Sequence, residues 1–350
     1  MEHEFYMRRC LELAQLGAGS VSPNPMVGCV IVHEDKIIGE GYHQKFGEAH
    51  AEVNAVKNVF ERFGDEAPSL LSNATAYVTL EPCAHFGKTP PCADLLVKHQ
   101  LKKVVIGNTD PFDSVNGKGI EKLKNAGIEV VTGILNEECR QVNRRFFTRI
   151  QAHRPYIILK WAQTGDGFFA PSDQSQKWIS GPEAKILSHQ WRTEEDAILV
   201  GKKTALIDNP QLNTRDVVGR NPIRLIIDKN LEIPSHYNIY NKAAKTIIFN
   251  EIKTDVIDNI HFVQMEDMRF YLAQKIAYQL YLMDIQSVII EGGANILNQF
   301  IEANLWDEAR IFTSNLIWEN GLKSPQITGE ILEETIIGND RLQIIKRIKA

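Results

Sequence analysis

Cysteine is scarce in this sequence. There are five in 350 residues, and the odd number argues against a disulfide framework and for a reducing, cytoplasmic setting. No apolar run is long enough to span a bilayer. The opening Met1-Glu2-His3-Glu4 shows neither the basic start nor the apolar core of a signal peptide. A basic excess is also missing. The formal net charge is −5, from 39 Lys and Arg against 44 Asp and Glu. Up to Phe147 the balance is 16 basic against 19 acidic residues, and beyond it 23 against 25. Neither half suits a nucleic-acid partner, and no membrane partner is expected. Heptad periodicity, internal repeats and low-complexity tracts are absent as well.

What is present is ordinary for a globular protein, with 43% apolar and 24% charged residues. The length allows two domains, each with a sizeable core. Residues 137–149 are polar and basic and read as a helix leading into a linker. The boundary is expected near His153-Arg154-Pro155, giving domains over 1–147 and 155–350. Met26 to Val32, Ala76 to Leu80 and Lys103 to Gly107 read as buried strands, with helices from Glu4, His50 and Pro82-Cys83 between or around them. Alternation of this kind predicts a three-layer α/β/α sandwich. After Pro155 a second α/β pattern begins. Its strands are expected at 156–162, 197–201, 223–228, 246–249 and 287–290, and the last runs into Glu291-Gly292-Gly293 before a helix to about Glu302.

The chemistry concentrates in two short stretches, His50-Ala51-Glu52 and Pro82-Cys83 to Cys92. One imidazole and two thiols are the donors a tetrahedral Zn²⁺ accepts, with the fourth position left to water. Glu52, two residues past His50, can take a proton from that water and return it to a leaving amine. A nucleobase-deaminase signature reads H-x-E followed by P-C-x-x-C; here residues 84–91 separate the cysteines instead of two. A closed structural zinc with His85 as fourth ligand is the alternative reading. Cys10, Cys29 and Cys139 have no comparable setting and are expected to be inert. Asn24, His43, Asn108 and Asp110 fall on loops, where either ligand contacts or plain turn chemistry is at work.

Thr79-Leu80-Glu81-Pro82-Cys83 through Gly87-Lys88-Thr89-Pro90-Pro91-Cys92 resembles the zinc loop of the bifunctional deaminase–reductases of riboflavin biosynthesis. The second half adds an ordered set of motifs. These are Leu159-Lys160-Trp161-Ala162 with Asp166-Gly167, Trp178-Ile179-Ser180, Gly201-Lys202-Lys203-Thr204, Asp208 to Arg215, and Glu291-Gly292-Gly293. Together they resemble the reductase domain of the same family, and the resemblance runs from about Glu4 to about Glu302.

It implies a cytidine-deaminase-like sandwich followed by a dihydrofolate-reductase-like α/β domain, with Zn²⁺ and NADPH as cofactors. The zinc ligands would be His50, Cys83 and Cys92, with Glu52 catalytic and Asn24 and His43 on the substrate. In the second domain Ala162, Trp178, Thr204, Asp208 and Gly293 would contact the cofactor. Lys160, Arg192, Leu212, Arg215 and Glu291 would line the substrate side, the two arginines near a ribose phosphate. The implied substrate is a small pyrimidine ribotide, deaminated and then reduced from ribosyl to ribityl. A homo-oligomer assembled through the reductase domain is implied too. The sequence departs from the family at Gln176-Lys177 and across 315–321. Left open are a nucleoside or tRNA deaminase with an accessory reductase-like domain, a chain with one dead domain, and a non-catalytic zinc module.

Overall fold

A computed structural model describes the whole chain except residues 1, 85, 87–89, 113–115, 174, 176, 349 and 350. It divides into two compact units, Met1–His153 and Arg154–Ala350.

The first unit runs α1 (Glu2–Gln15), β1 (Gly28–His33), β2 (Lys36–Tyr42), α2 (Ala51–Phe63), α3 (Ala67–Ser72), β3 (Thr75–Leu80), α4 (Cys92–Lys98), β4 (Lys103–Asn108), α5 (Lys118–Asn125), β5 (Glu129–Thr132), α6 (Asn136–Val142) and α7 (Arg144–Ala152). Its sheet has the order β2-β1-β3-β4-β5. Strands β1 and β2, and β1 and β3, pair antiparallel, while β3, β4 and β5 are parallel. The inner strands are apolar along their middles because both faces are covered. Cys29, Ile31, Ala76, Val78, Val104 and Ile106 meet α2, α4 and α5 on one face. Val30, Val32, Tyr77 and Val105 meet α1 and α6 on the other. This is the expected three-layer sandwich.

One glycine decides where α2 lies. A Cβ on Gly41 would come within 2.3 Å of the Ala55 backbone nitrogen, so only glycine lets α2 rest directly on β2. That contact fixes the start of α2, where His50 is the N-cap and Glu52 lies in the first turn. The helix expected from Pro82-Cys83 begins at Cys92 instead. The reason is local. The Cys92 N–H donates to Cys83 Sγ at 3.2 Å and the Ala93 N–H to the Cys83 carbonyl at 3.1 Å. Cys83 thus satisfies two amides that would otherwise be orphaned at the helix start, and Pro91 enters the helix from an extended conformation with φ −57° and ψ 141°. Residues 137–149 form parts of two helices, not one, with Asn143 between them.

The second unit runs β6 (Tyr156–Gln163), β7 (Phe168–Ala170), α8 (Pro182–Glu194), β8 (Ala197–Gly201), α9 (Lys202–Asp208), β9 (Ile223–Ile227), β10 (Thr246–Asn250), β11 (Asp255–Ile257), β12 (Ile260–Gln264), α10 (Leu272–Leu282), β13 (Ser287–Ile290), α11 (Ala294–Glu302), β14 (Glu308–Thr313), β15 (Leu322–Lys323), β16 (Gly329–Ile337) and β17 (Asp340–Arg347). Ten strands make one sheet in the order β11-β12-β10-β9-β8-β13-β6-β14-β17-β16. From β12 to β14 all neighbours are parallel, and antiparallel strands close both edges. Ile157, Leu159 and Trp161 pack with α10 and α11, while Tyr156 and Ile158 pack with α8 on the opposite face. A Cβ on Gly292 would come within 2.6 Å of Val200 Cα. Glycine there lets the turn after β13 lie against β8 and brings Glu291 and Gly293 to the C-terminal ends of the parallel strands, where α/β sheets bind ligands. Among the described residues no helix is long and apolar enough to cross a membrane.

Candidate active sites

In the first unit three side chains from three places in the chain converge. His50 Nδ1 lies 3.7 Å from Cys83 Sγ and 3.4 Å from Cys92 Sγ, and the three donor atoms fall within 4.8 Å of one another. An imidazole and two sulfurs at this separation fit a zinc ion, and three protein ligands leave a coordination position open. His85, weighed as a fourth ligand, lies outside the described residues. A hydrogen bond with Cys92, opposed by burial and aided by His50, holds the Cys83 thiol well below the ordinary range. Hydrogen bonding to Cys83 in turn raises His50. The thiolate and the unprotonated imidazole are the forms that bind a metal, so binding would release the protons that His50 and the raised Cys92 thiol hold.

Glu52 is buried beside this cluster, only 3% exposed. Burial, with the Cys83 sulfur adding to it, pushes its carboxyl up to about 7. A carboxyl that titrates near neutrality both takes and gives protons.

Asn24 and His43 join the same cluster. The His43 and His50 rings are 5.4 Å apart, edge to face. His43 Nδ1 sits 3.1 Å from the Ala49 carbonyl oxygen, and Nε2 sits 3.1 Å from Asn24 Nδ2. The carbonyl only accepts, so Nδ1 carries the proton and Nε2 accepts from the Asn24 amide. Burial lowers the His43 pKa, and the neutral ring keeps this tautomer. Asp110 does turn chemistry, while Asn108 braces a segment 28 residues away. Asn108 Nδ2 donates to the Asn136 carbonyl at 2.9 Å, and Asp110 accepts the Phe112 N–H at 2.8 Å. Cys10, Cys29 and Cys139 are fully buried, with thiols raised by that burial, the setting of a structural cysteine.

Sequence reasoning passed over Glu81. Its buried carboxylate accepts N–H bonds from Asp110, Gly117, Gly119 and Ile120 at 2.9 to 3.2 Å. It thereby ties Asp110, Gly117 and the first turn of α5 to the segment that runs from the end of β3 to Cys83. No local pattern announces this, because the donors are backbone amides 29 to 39 residues away. Glu81→Ala is expected to leave these amides unpaired, at roughly 1–3 kcal/mol for each that stays dry. Zinc content measured on the purified variant should fall with the melting temperature of the first unit.

In the second unit one cavity of about 1190 Å³ gathers all ten residues assigned there to the cofactor or the substrate. Ala162 lies next to the end of the central strand β6, and Thr204 and Asp208 face in from α9. Thr204 Oγ1 accepts the Gly293 N–H at 2.9 Å, which locks the glycine turn to α9. Trp178 stands at the rim, 67% exposed, with Lys185 Nζ 6.0 Å from its ring centre. Gln176 lies outside the described residues. Segment 315–321 folds onto the Asp166 turn, whose carboxylate accepts the Trp318 and Glu319 N–H groups at 3.1 and 2.8 Å.

The polar centre of the cavity is a charge cluster. Arg192 grips Glu291 bidentately at 3.2 and 2.7 Å and donates a third bond to the Asn213 carbonyl at 3.2 Å. Burial raises the Glu291 carboxyl, but Arg192 and Lys160 outweigh it and hold the group at about 2. Burial lowers Lys160. Leu212 is buried in the cavity wall, whereas Arg215 is exposed to it.

Both units match known families. Residues 1–108 match the cytidine and deoxycytidylate deaminase zinc-binding region, and residues 155–318 match the RibD C-terminal domain. The riboflavin biosynthesis protein RibD of Aquifex aeolicus is 39% identical, over 95% of this chain and 92% of its own length. That of Actinobacillus pleuropneumoniae is 38% identical, over 97% and 88%. The crystal structure of a Thermotoga maritima diaminohydroxyphosphoribosylaminopyrimidine deaminase/5-amino-6-(5-phosphoribosylamino)uracil reductase superposes with a TM-score of 0.90 at 34% identity, covering 99% of each chain. The chain thus belongs to the RibD family of riboflavin-biosynthesis proteins and joins a deaminase with a zinc-binding region to a reductase.

Proposed function

We propose that the first unit hydrolyses the 2-amino group of 2,5-diamino-6-ribosylamino-4(3H)-pyrimidinone 5′-phosphate, and that the second reduces the ribosyl group of the product to a ribityl chain with NADPH. The observation that carries this reading is the convergence of His50, Cys83 and Cys92 beside the buried Glu52 carboxyl.

In the first reaction water adds at the ring carbon that bears the amine, and ammonia leaves. Zinc held by His50, Cys83 and Cys92 would supply the Lewis acidity that lets water lose a proton near neutral pH. Glu52 accepts that proton and passes it to the departing amine; its pKa of about 7 suits both halves of the task. His43 holds the Asn24 amide by its nitrogen, which leaves the Asn24 carbonyl oxygen to accept from a pyrimidine N–H.

In the second reaction NADPH held in the cavity would supply the hydride that reduces C1′, and the ring oxygen would take up a proton to become a hydroxyl. Ala162, Trp178, Thr204, Asp208 and Gly293 form the cofactor side of the cavity. Lys160, Leu212 and Glu291 form the substrate side. Of the two arginines, Arg215 suits the ribose phosphate. Arg192 commits three of its five N–H groups to Glu291 and Asn213 and acts mainly by fixing that carboxylate.

Assembly through the second unit completes the proposal. Strand β16 ends the ten-stranded sheet and exposes Ile331 (54%), Leu332 (46%) and Ile336 (66%), an open apolar edge that natural proteins usually cover. Light scattering on a size-exclusion column should show an oligomer of this cytoplasmic enzyme, and Ile336→Lys should shift it to a smaller species. An unshifted wild-type monomer would refute that part.

The two activities are tested by following ammonia and NADPH together. Ammonia release from the diaminopyrimidinone ribotide should need zinc and no nicotinamide. NADPH consumption should begin only once deaminated product is present. Consumption of NADPH on the undeaminated ribotide would overturn the order.

A further inference from the structure

Arg215 and Leu212 lie on a stretch without helix or strand, between the end of α9 at Asp208 and the start of β9 at Ile223. Leu212 has φ +48°, a left-handed backbone that a branched residue keeps only when its surroundings hold it. The stretch is held by one face of α8. Lys185, His189 and Arg192 are spaced four and three residues apart, so they share that face. Arg192 Nη1 donates to the Asn213 carbonyl at 3.2 Å. The Arg215 N–H donates to His189 Nδ1 at 3.4 Å. Asp216 receives Lys185 Nζ at 3.0 Å and His189 Nε2 at 3.3 Å.

His189 is the member that cannot be replaced by plain charge. It is buried, 2% exposed, and serves two partners of opposite demand. The backbone N–H requires an unprotonated Nδ1, and the Asp216 carboxylate requires a proton on Nε2. Only the neutral Nε2–H tautomer satisfies both. Burial, with the nearby Arg192 and Arg215 charges, lowers the ring to about 4, against the pull of Asp216 and Glu291. The ring therefore stays neutral at neutral pH.

We propose that His189 is a positioning residue that fixes the backbone of Arg215 and thereby sets how well the reductase discriminates a phosphorylated substrate from its dephosphorylated form. This rests on the reading of Arg215 as the phosphate-side arginine. His189 lines the same cavity, but its two ring nitrogens are engaged by the Arg215 amide and the Asp216 carboxylate, so it acts through the segment it holds.

The test uses the full chain and the reductase step alone, with the deaminated ribotide and the same compound lacking its phosphate. Arg215→Ala, His189→Ala and His189→Asn are compared, with KM for NADPH and deaminase activity as controls. The Asn side chain keeps an acceptor near the Nδ1 position. His189→Ala is expected to raise KM for the ribotide roughly tenfold, in line with a weakened charge-assisted contact. Its kcat, its KM for NADPH and its kinetics with the dephosphorylated compound should change little, and His189→Asn should recover most of the loss. Equal losses on both substrates and on NADPH, or an Asn variant no better than Ala, mean a purely structural histidine and overturn the proposal. If Arg215→Ala costs the phosphate preference and His189→Ala does not, only the proposal fails. If Arg215→Ala itself spares that preference, the phosphate reading fails and takes the proposal with it.

Discussion

Glu52→Gln is expected to lower the deaminase kcat by roughly 10²–10⁴-fold, the usual contribution of a positioned acid–base group, and to leave zinc content and reduction of deaminated ribotide at wild-type levels. The amide keeps the shape of the side chain but cannot carry a proton between water and amine. Zinc retention is expected because the three donors that converge are His50, Cys83 and Cys92. Reduction should survive because every residue assigned to it lies in the cavity of the second unit. Zinc analysis and the two half-reactions, run on one preparation, check all three statements. A variant that deaminates at the wild-type rate would remove Glu52 from the chemistry.

Glu291→Gln should act on the second unit in two ways. The carboxylate is 12% exposed and its partner Arg192 11%, so the substitution leaves Arg192 and Lys160 as neighbouring buried cations without a counter-charge. Breaking such a pair is costly. The folded pKa of about 2 lies below the ordinary 4.5, a difference worth about 3 kcal/mol. Because the folded pKa is depressed, this stability is fully present above about pH 4.5 and is lost as pH falls toward 2. The melting temperature of the second unit should therefore drop by roughly 6–12 °C near neutral pH, and the gap to wild type should narrow steadily below pH 4.5. Reductase kcat/KM should fall by roughly 10–10²-fold, the size of a lost charged hydrogen bond. A gap that stays constant down to pH 2 would contradict the assigned ion pair.

The convergence of His50, Cys83 and Cys92 beside Glu52 could be anticipated from the sequence, because side chains of unusual type stand out wherever the chain puts them. The start of α4 was not legible. Pro82-Cys83 has the composition of a helix start, yet the Cys83 sulfur and carbonyl receive the first amides of a helix that begins at Cys92. Buried strands such as β1 and β6 were readable from their continuous apolar runs. Their order was not, since β6, first in its unit, is placed between β13 and β14 by pairings more than a hundred residues distant. Glu81 and His189 escaped notice for a related reason. Each works on backbone amides of a remote segment, and a backbone partner leaves no mark in composition or spacing. Arg192 was readable as a cavity residue, but its bidentate grip on Glu291 depends on the turn that Gly292 permits.

The most direct measurement is mass spectrometry of the diaminopyrimidinone ribotide after incubation with the zinc-loaded protein, with and without NADPH. Without NADPH the product should have exchanged one amine for oxygen and nothing else; with it, that product should also have gained two hydrogens. A ribotide left unchanged by zinc-loaded protein, or one that gains hydrogens while keeping both amines, would contradict the account.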